Sequence, residues 1–121
     1  MRSIIVVDDD AAVRRVAARI LVEEGFFVLE AEDGDEAMRI AEANREVGLV
    51  VSDIVMPRVN GIELLERLAR TRPTLPVVLM SGYSSQELMG RALVVPCGIL
   101  RKPFAPEELL DEVRRCLATA A

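Results

Sequence analysis

Apolar and polar stretches alternate along the chain in five successive repeats. Each repeat opens with a short apolar run typical of a buried strand and continues with a segment whose apolar residues recur at helical spacing. The pattern predicts strands at residues 3–7, 26–31, 48–52, 75–80 and 95–100. It predicts helices at residues 11–24, 34–44, 61–71, 84–92 and 106–117. Strict alternation of strands and helices favours an α/β fold, in which right-handed crossovers join parallel strands and place helices on both faces of the sheet.

Several residues mark the ends of the predicted helices. Asp33 and Asn60 are each followed three residues later by a glutamate, a spacing typical of helix N-caps. Asp10 is interpreted as the cap of the first helix, and Gly25 as the residue that ends it. The buried face of this helix is predicted to carry Val13, Val16, Ala17, Ile20 and Leu21.

Length and composition fit one domain, which we expect to span residues 1–121 without a linker, a repeat or an output domain. Half of the residues are apolar, and the core is aliphatic because the chain has no tryptophan, one tyrosine and three phenylalanines. The net charge of −5 argues against nucleic acid as a direct partner, since phosphate contacts need a basic face. The arginine pairs Arg14-Arg15 and Arg114-Arg115 are interpreted as solvated helix faces.

The absence of a long apolar run predicts a cytoplasmic protein with no membrane partner. No run reaches the roughly 18 residues that a membrane span needs, and no signal peptide opens the chain. We expect a monomer or a weak dimer. The two cysteines, Cys97 and Cys116, lack the spacing of a zinc site, and the chain has no histidine. They are predicted to be reduced, largely buried thiols.

Charged residues stand at the ends of three of the predicted strands. Asp8, Asp9 and Asp10 come after the first strand, Asp53 after the third, and Lys102 after the fifth. The carboxyl ends of parallel strands form the usual site of such folds, so these side chains are expected to meet. Three carboxylates in one place repel each other, and a divalent cation relieves the repulsion. The combination indicates Mg²⁺ and a phosphoryl group.

The chain resembles the receiver domain of two-component response regulators over its whole length. The matching elements are Val7-Asp8-Asp9, Asp53-x-x-Met56-Pro57-x-x-Asn60-Gly61, Ser81 after an apolar run, and Lys102-Pro103-Phe104. The resemblance implies a flavodoxin-like three-layer α/β/α sandwich with five parallel strands in the order 2-1-3-4-5 and five helices. It also implies that a histidine kinase or a histidine phosphotransfer protein donates a phosphoryl group to Asp53, which then changes partner binding.

The resemblance implies a role for each residue of the site. Asp53 is the expected phosphoacceptor, and Asp9 the direct Mg²⁺ ligand, with Asp8 acting through a water. Asp53 and the backbone carbonyl of Val55 would complete the protein ligands. Lys102 would pair with Asp53 and then with the phosphoryl group, aimed by a cis bond to Pro103. The hydroxyl of Ser81 would donate a hydrogen bond to a phosphoryl oxygen.

The conformational switch is where the sequence departs from the family. Relatives usually carry an aromatic residue three positions before the lysine, where this chain has Ile99. Isoleucine is β-branched and stiff, so an aromatic rotamer switch is absent at that position. Tyr83, two residues after Ser81, is the alternative candidate.

Three other interpretations remain open from the sequence. The chain could be the receiver of a larger hybrid histidine kinase. It could be a Mg²⁺-dependent aspartyl phosphohydrolase, although such enzymes carry a second aspartate where this chain has Val55. It could bind FMN, although that would need a Ser/Thr/Gly-rich phosphate loop after the first strand, where Asp8-Asp9-Asp10 would repel a phosphate in the absence of a metal. The receiver interpretation is preferred, with a domain that assists its own phosphorylation and dephosphorylation but is not an enzyme acting on a separate substrate.

Overall fold

Five strands and five helical segments alternate along residues 2–82 and 86–120, the part of the chain that the computed structural model describes. The strands are β1 (Ser3–Val7), β2 (Phe27–Ala31), β3 (Val47–Asp53), β4 (Val77–Ser81) and β5 (Gly98–Arg101). The helices are α1 (Ala11–Glu23), α2 (Gly34–Ala43), α3 (Gly61–Thr71), α4 (Gln86–Met89) and α5 (Pro106–Ala120). All strand pairs are parallel, in the order β2-β1-β3-β4-β5. The predicted fold class and strand order are confirmed.

Two apolar layers cover the opposite faces of the sheet. Successive side chains of a strand point to opposite faces, so β1 places Ile4 and Val6 in one layer and Ile5 and Val7 in the other. Residues of α1 and α5 pack in the first layer, and residues of α2 and α3 in the second. Because β1 and β3 lie between other strands and are covered on both faces, their carboxyl ends are held rigidly.

The predicted helix caps of the first three helices are confirmed. The Asp10 side chain accepts hydrogen bonds from the backbone N–H groups of the first turn of α1, and Asp33 accepts from Glu36. Asn60 and Glu63 form a reciprocal capping box at α3. Gly25 has a φ of +96°, the left-handed conformation that favours glycine after a helix.

Strand and helix boundaries differ from prediction in the second half of the chain. β4 begins at residue 77 and β5 at residue 98, later than predicted. Pro76 and Pro96 precede these starts and have no N–H group to donate to a strand pair. Within the described residues the fourth helix covers Gln86–Met89, so it ends before the predicted residue 92, and Gly90 follows it directly. Residues 84 and 85 lie outside the described residues.

Two predictions about α1 are wrong. Val16, predicted on the buried face, is 60% exposed. Arg14, predicted on a solvated face, is buried, while its neighbour Arg15 is exposed. The helix therefore packs with its buried face rotated toward Arg14, Ala17, Ala18 and Leu21.

Among the described residues, no helix is both long enough and apolar enough to cross a bilayer.

The prediction of two reduced thiols is also wrong, because Cys97 and Cys116 form a disulfide. Packing of α5 against β5 brings their Cα atoms to 6.0 Å, which lies in the range that a disulfide spans. The bond joins residues 19 positions apart. Arg115 reinforces the same contact, since its guanidinium donates to the carbonyl oxygen of Cys97 at 2.7 Å.

Reduction of this disulfide is expected to lower the free energy of unfolding by about 3 kcal/mol, because it frees a closed loop of 19 residues in the unfolded chain. The measurement is the urea midpoint with and without a strong reductant, with thiols counted by alkylation and mass. Cys97→Ala is the control, in which the reductant should change nothing. Equal midpoints in the wild type would contradict a stabilising bond.

Candidate functional site

Four charged side chains meet at the carboxyl edge of the sheet. Asp8 and Asp9 follow β1, Asp53 ends β3, and Lys102 follows β5. Because β1 and β3 are neighbours, one carboxylate oxygen from each of the three aspartates lies within 4.8 Å of the other two. Asp8 is fully buried, Asp53 is partly buried and Asp9 is exposed. The structure therefore brings together the residues that the sequence places at separate strand ends.

Lys102 bridges two of the carboxylates. Its Nζ lies 3.1 Å from Asp8 Oδ2 and 3.2 Å from Asp53 Oδ1. Burial by itself lowers the pKa of Lys102, but the hydrogen bond to Asp8 and the charges of Asp53 and Asp8 outweigh burial and raise the pKa. The ammonium group therefore stays charged and offsets part of the negative charge at this edge.

Two features of the backbone set the position of Lys102. The peptide bond between Lys102 and Pro103 is cis, as the family resemblance implied. The N–H of Lys102 donates to the carbonyl oxygen of Ser81 at 2.8 Å. This hydrogen bond ties the residue after β5 to the last residue of β4.

Asp53 carries an unfavourable charge. Burial is the largest cause that raises its pKa, and the negative charge of Asp8 raises it further. Lys102 opposes both effects but does not overcome them. The single positive charge of Lys102 thus does not balance the negative charges of the surrounding aspartates, and an added cation would be stabilised here.

The loop between β3 and α3 folds back against Asp53. A Cβ atom on Gly61 would lie 2.3 Å from the carbonyl oxygen of Asp53, so only glycine fits this close approach. The N–H of Gly61 donates to the carbonyl oxygen of Ile54 at 2.8 Å. Val55 is 43% exposed and lines the cleft beside Asp53.

Arg58 anchors the loop between β3 and α3 to the start of α2. No pattern in the sequence predicts this contact. Its guanidinium pairs with the carboxylate of Asp33, the N-cap of α2. The hydrogen bond from the backbone N–H of Glu36 lowers the pKa of Asp33, and Arg58 lowers it further although burial opposes both. Arg58 has a φ of +64°, which is uncommon outside glycine.

The remaining predicted residues occupy different positions. Ser81 is buried at the end of β4, and Gly82 lines the cleft next to Asp53 and Lys102. Ile99 is 49% exposed and points away from the core on the edge strand β5. Tyr83, the other switch candidate, lies outside the described residues.

The cleft at this edge is shallow and polar. It has a volume of about 350 Å³ and is open to solvent, with Asp9, Asp53, Val55 and Lys102 in its wall. Such a cleft admits a small anionic group together with a cation, and an attacking or leaving group can reach Asp53 from outside. It is too open to enclose a large cofactor.

Asp53→Asn is expected to raise the melting temperature of the metal-free protein at neutral pH. Because folding raises the pKa of Asp53, its contribution to stability is present at low pH and is lost as the pH rises through the folded-state pKa. The advantage of the variant should therefore shrink as the pH falls and wild-type Asp53 becomes protonated. Lys102 keeps its partner Asp8 in the variant.

The measurement is thermal unfolding in EDTA between about pH 4 and about pH 8. Asp111→Asn, an exposed residue of α5, makes the same change of charge far from the cleft and is the control. A similar pH response in both variants would mean that repulsion at the cleft does not govern the effect.

Sequence comparison finds relatives among two-component proteins. The chain is 37% identical over 118 residues to the sensor kinase CckA of Brucella abortus, covering 95% of this chain and 12% of that protein. It is 39% identical over 117 residues to the response regulator MprA of Mycobacterium sp. (strain KMS), covering 94% of this chain and 50% of that protein. The chain thus spans half or less of these relatives.

Structural comparison agrees over nearly the whole chain. The receiver domain of NtrX from Brucella abortus superposes with a TM-score of 0.88 at 33% identity, covering 97% of this chain and 99% of that one. A CheY-like response regulator receiver domain protein from Methanospirillum hungatei gives a TM-score of 0.87 at 28% identity, covering 99% and 96%. The family model described as response regulator receiver domain matches residues 4–114. With its strand order and its acidic cleft, this chain belongs to the response regulator receiver domain family.

Proposed function

We propose that the chain accepts a phosphoryl group on Asp53 from a phosphohistidine of a kinase or phosphotransfer protein, with Mg²⁺, and thereby changes its binding of a partner. The observation that carries the proposal is the bridge from Lys102 to Asp53 and Asp8 beside an open cleft. Before transfer a lysine ammonium can pair with a carboxylate. After transfer it can pair with the phosphoryl oxygens, which then carry the negative charge. Phosphoryl transfer depends mainly on such positioning and charge neutralisation.

The transfer forms one bond and breaks one bond. A carboxylate oxygen of Asp53 attacks phosphorus, and the bond from phosphorus to the imidazole nitrogen of the donor breaks. The electron pair leaves with the imidazole, so no oxidant or reductant is needed. Lys102 stays beside the new acyl phosphate, and the proposed donors on the β4 side are the Ser81 hydroxyl and the Gly82 amide.

The three aspartates fit a Mg²⁺ ion. They offer carboxylate oxygens close together and too little positive charge to balance them. Mg²⁺ prefers oxygen ligands and keeps several waters. We assign Asp9 and Asp53 as direct ligands, Asp8 as a ligand through water, and the carbonyl of Val55 as the fourth protein group. Bound Mg²⁺ would neutralise charge on the phosphoryl oxygens during transfer.

An apolar groove next to the cleft suits the donor protein. It has a volume of about 570 Å³ and runs from Lys102 and Phe104 along α1. Its wall includes Val13, Val16 and Ile20, and Val16 is among the exposed apolar side chains. Lys102 lines both the groove and the cleft, so a protein that presents a phosphohistidine at the cleft would also cover the groove.

The same receiver chemistry can serve two kinds of larger protein. One relative is named a sensor kinase and others response regulators, so both a hybrid kinase and a regulator are compatible surroundings for the same acceptor chemistry. Val55 stands two residues after Asp53, where an acid or base would serve hydrolysis of a separate substrate. We therefore propose a phosphoacceptor switch that turns over no substrate but itself.

Incubation with a small phosphodonor and Mg²⁺ is expected to add one phosphoryl group, seen as a single mass increment. Asp53→Asn should remove it because the amide is a poor nucleophile, and EDTA should suppress it in the wild type. Asp111→Asn, far from the cleft, should behave as wild type. A mass increment that survives in Asp53→Asn would place the acceptor elsewhere.

Self-dephosphorylation is expected to be slow, since it requires a water in line behind phosphorus. The water oxygen would attack phosphorus, and the bond to Asp53 would break with the carboxylate as leaving group. Val55 lies at the cleft and has no group to orient that water. Val55→Asn should speed the decay roughly tenfold, about 1.4 kcal/mol in barrier.

The decay is followed by mass after the donor is removed. Val95→Asn, an exposed valine outside the cleft, is the matched control. Equal decay in wild type and Val55→Asn would show that this side chain does not control the water.

A further inference from the structure

Arg14 is a buried charged residue that the proposed chemistry does not use. Only 8% of its surface is exposed, although it stands one turn into α1 beside the exposed Arg15. We propose that Arg14 is a positioning residue that holds the end of β1 so that Asp8 and Asp9 converge with Asp53 on the cation. This inference rests on the proposed function, because it concerns the same site.

The contacts of Arg14 point at the backbone of the site and not at its carboxylates. One terminal nitrogen, Nη1, donates to the carbonyl oxygen of Asp8 at 2.8 Å. Nε donates to Glu30 Oε1 on β2 at 2.9 Å. The guanidinium thus ties the first residue after β1 to the neighbouring strand, and its charge is balanced by Glu30.

Asp8 has a partner for each of its polar groups. Its N–H donates to the carbonyl oxygen of Ala31, and its Oδ1 accepts from the N–H of Asp10. Its Oδ2 accepts from Lys102. Arg14 supplies the partner for the remaining group, the backbone carbonyl. Because Asp8 is fully buried, loss of that partner would leave an acceptor unsatisfied and the strand end free to shift.

The chemistry of arginine suits this role better than that of lysine. The planar guanidinium donates in fixed directions from Nε and Nη1, so it can hold the carbonyl of Asp8 and Glu30 together. A lysine has one ammonium on a flexible chain and would satisfy both acceptors less well. Some residues orient metal ligands without binding the metal themselves. Removing such a residue typically weakens metal affinity by 10- to 100-fold.

The direction in which Mg²⁺ affinity changes distinguishes a positioning role of Arg14 from a purely electrostatic one. Removing a positive charge near three aspartates should by itself attract Mg²⁺ more strongly. Removing a positioning contact should weaken Mg²⁺ binding. Arg14→Met keeps most of the side-chain volume while deleting the charge and the donors, and Arg15→Met makes the same change of charge on the exposed face.

The test is calorimetric titration with Mg²⁺ alone, at a temperature where each variant is folded, with melting curves recorded alongside. Arg14→Met is expected to raise the Kd for Mg²⁺ roughly tenfold, and Arg15→Met to leave it unchanged or slightly lower. Arg14→Lys should restore part of the loss. A variant that melts earlier but binds Mg²⁺ like the wild type would assign Arg14 a merely structural role and overturn the proposal.

Glu30→Gln provides the test if Arg14→Met does not fold. Glu30 is 38% exposed at its side chain, so the change is tolerated by the fold but weakens the hold on Arg14. Its Kd for Mg²⁺ should rise by a few-fold, whereas Glu32→Gln, the same change of charge at an exposed residue that follows β2 level with Asp8, should raise it less. Equal constants for the two variants would overturn the proposal.

The proposed function is tested separately by the wild type. If wild-type protein binds no Mg²⁺ and takes no phosphoryl group from a small donor, the proposed function fails, and this inference with it. If the wild type does both while Arg14→Met binds Mg²⁺ as tightly, only the positioning role fails.

Discussion

Repulsion between carboxylates at the carboxyl edge of the sheet is the constraint on which the site depends. Asp8 and Asp53 are buried or partly buried within reach of one ammonium group, which bridges them at 3.1 and 3.2 Å. The raised pKa of Asp53 shows that burial and repulsion outweigh this bridge. Excess negative charge that is held in place favours a bound cation.

Holding those charges together requires a rigid frame. Strands β1 and β3 are covered on both faces by aliphatic side chains, so Asp8 and Asp53 extend from a packed core. Loops on either side are fastened by specific contacts: Arg14 to the carbonyl of Asp8, Arg58 to Asp33, and Gly61 against Asp53. The free energy of the packed core therefore offsets the cost of the crowded charges.

The fifth strand joins two different features of the molecule. Lys102 follows the carboxyl end of β5 and lines the cleft. Cys97 precedes the first residue of β5 and forms a disulfide with Cys116 of α5. The face of β5 that points outward carries the exposed Ile99 in place of an aromatic residue. The chemistry and the covalent link thus lie at opposite ends of one short edge strand.

The sequence by itself determined the alternating strands and helices, the helix caps and the charged residues at strand ends, because these follow from local periodicity and from neighbours along the chain. Strand order and the roles of individual residues came from family resemblance. Only the tertiary structure decided which side of α1 is buried, and hence that Arg14 is inside and Val16 outside. It also decided the pairing of Cys97 with Cys116 and of Arg58 with Asp33. These contacts join residues far apart in the chain, and they depend on how whole elements pack, which no local pattern encodes.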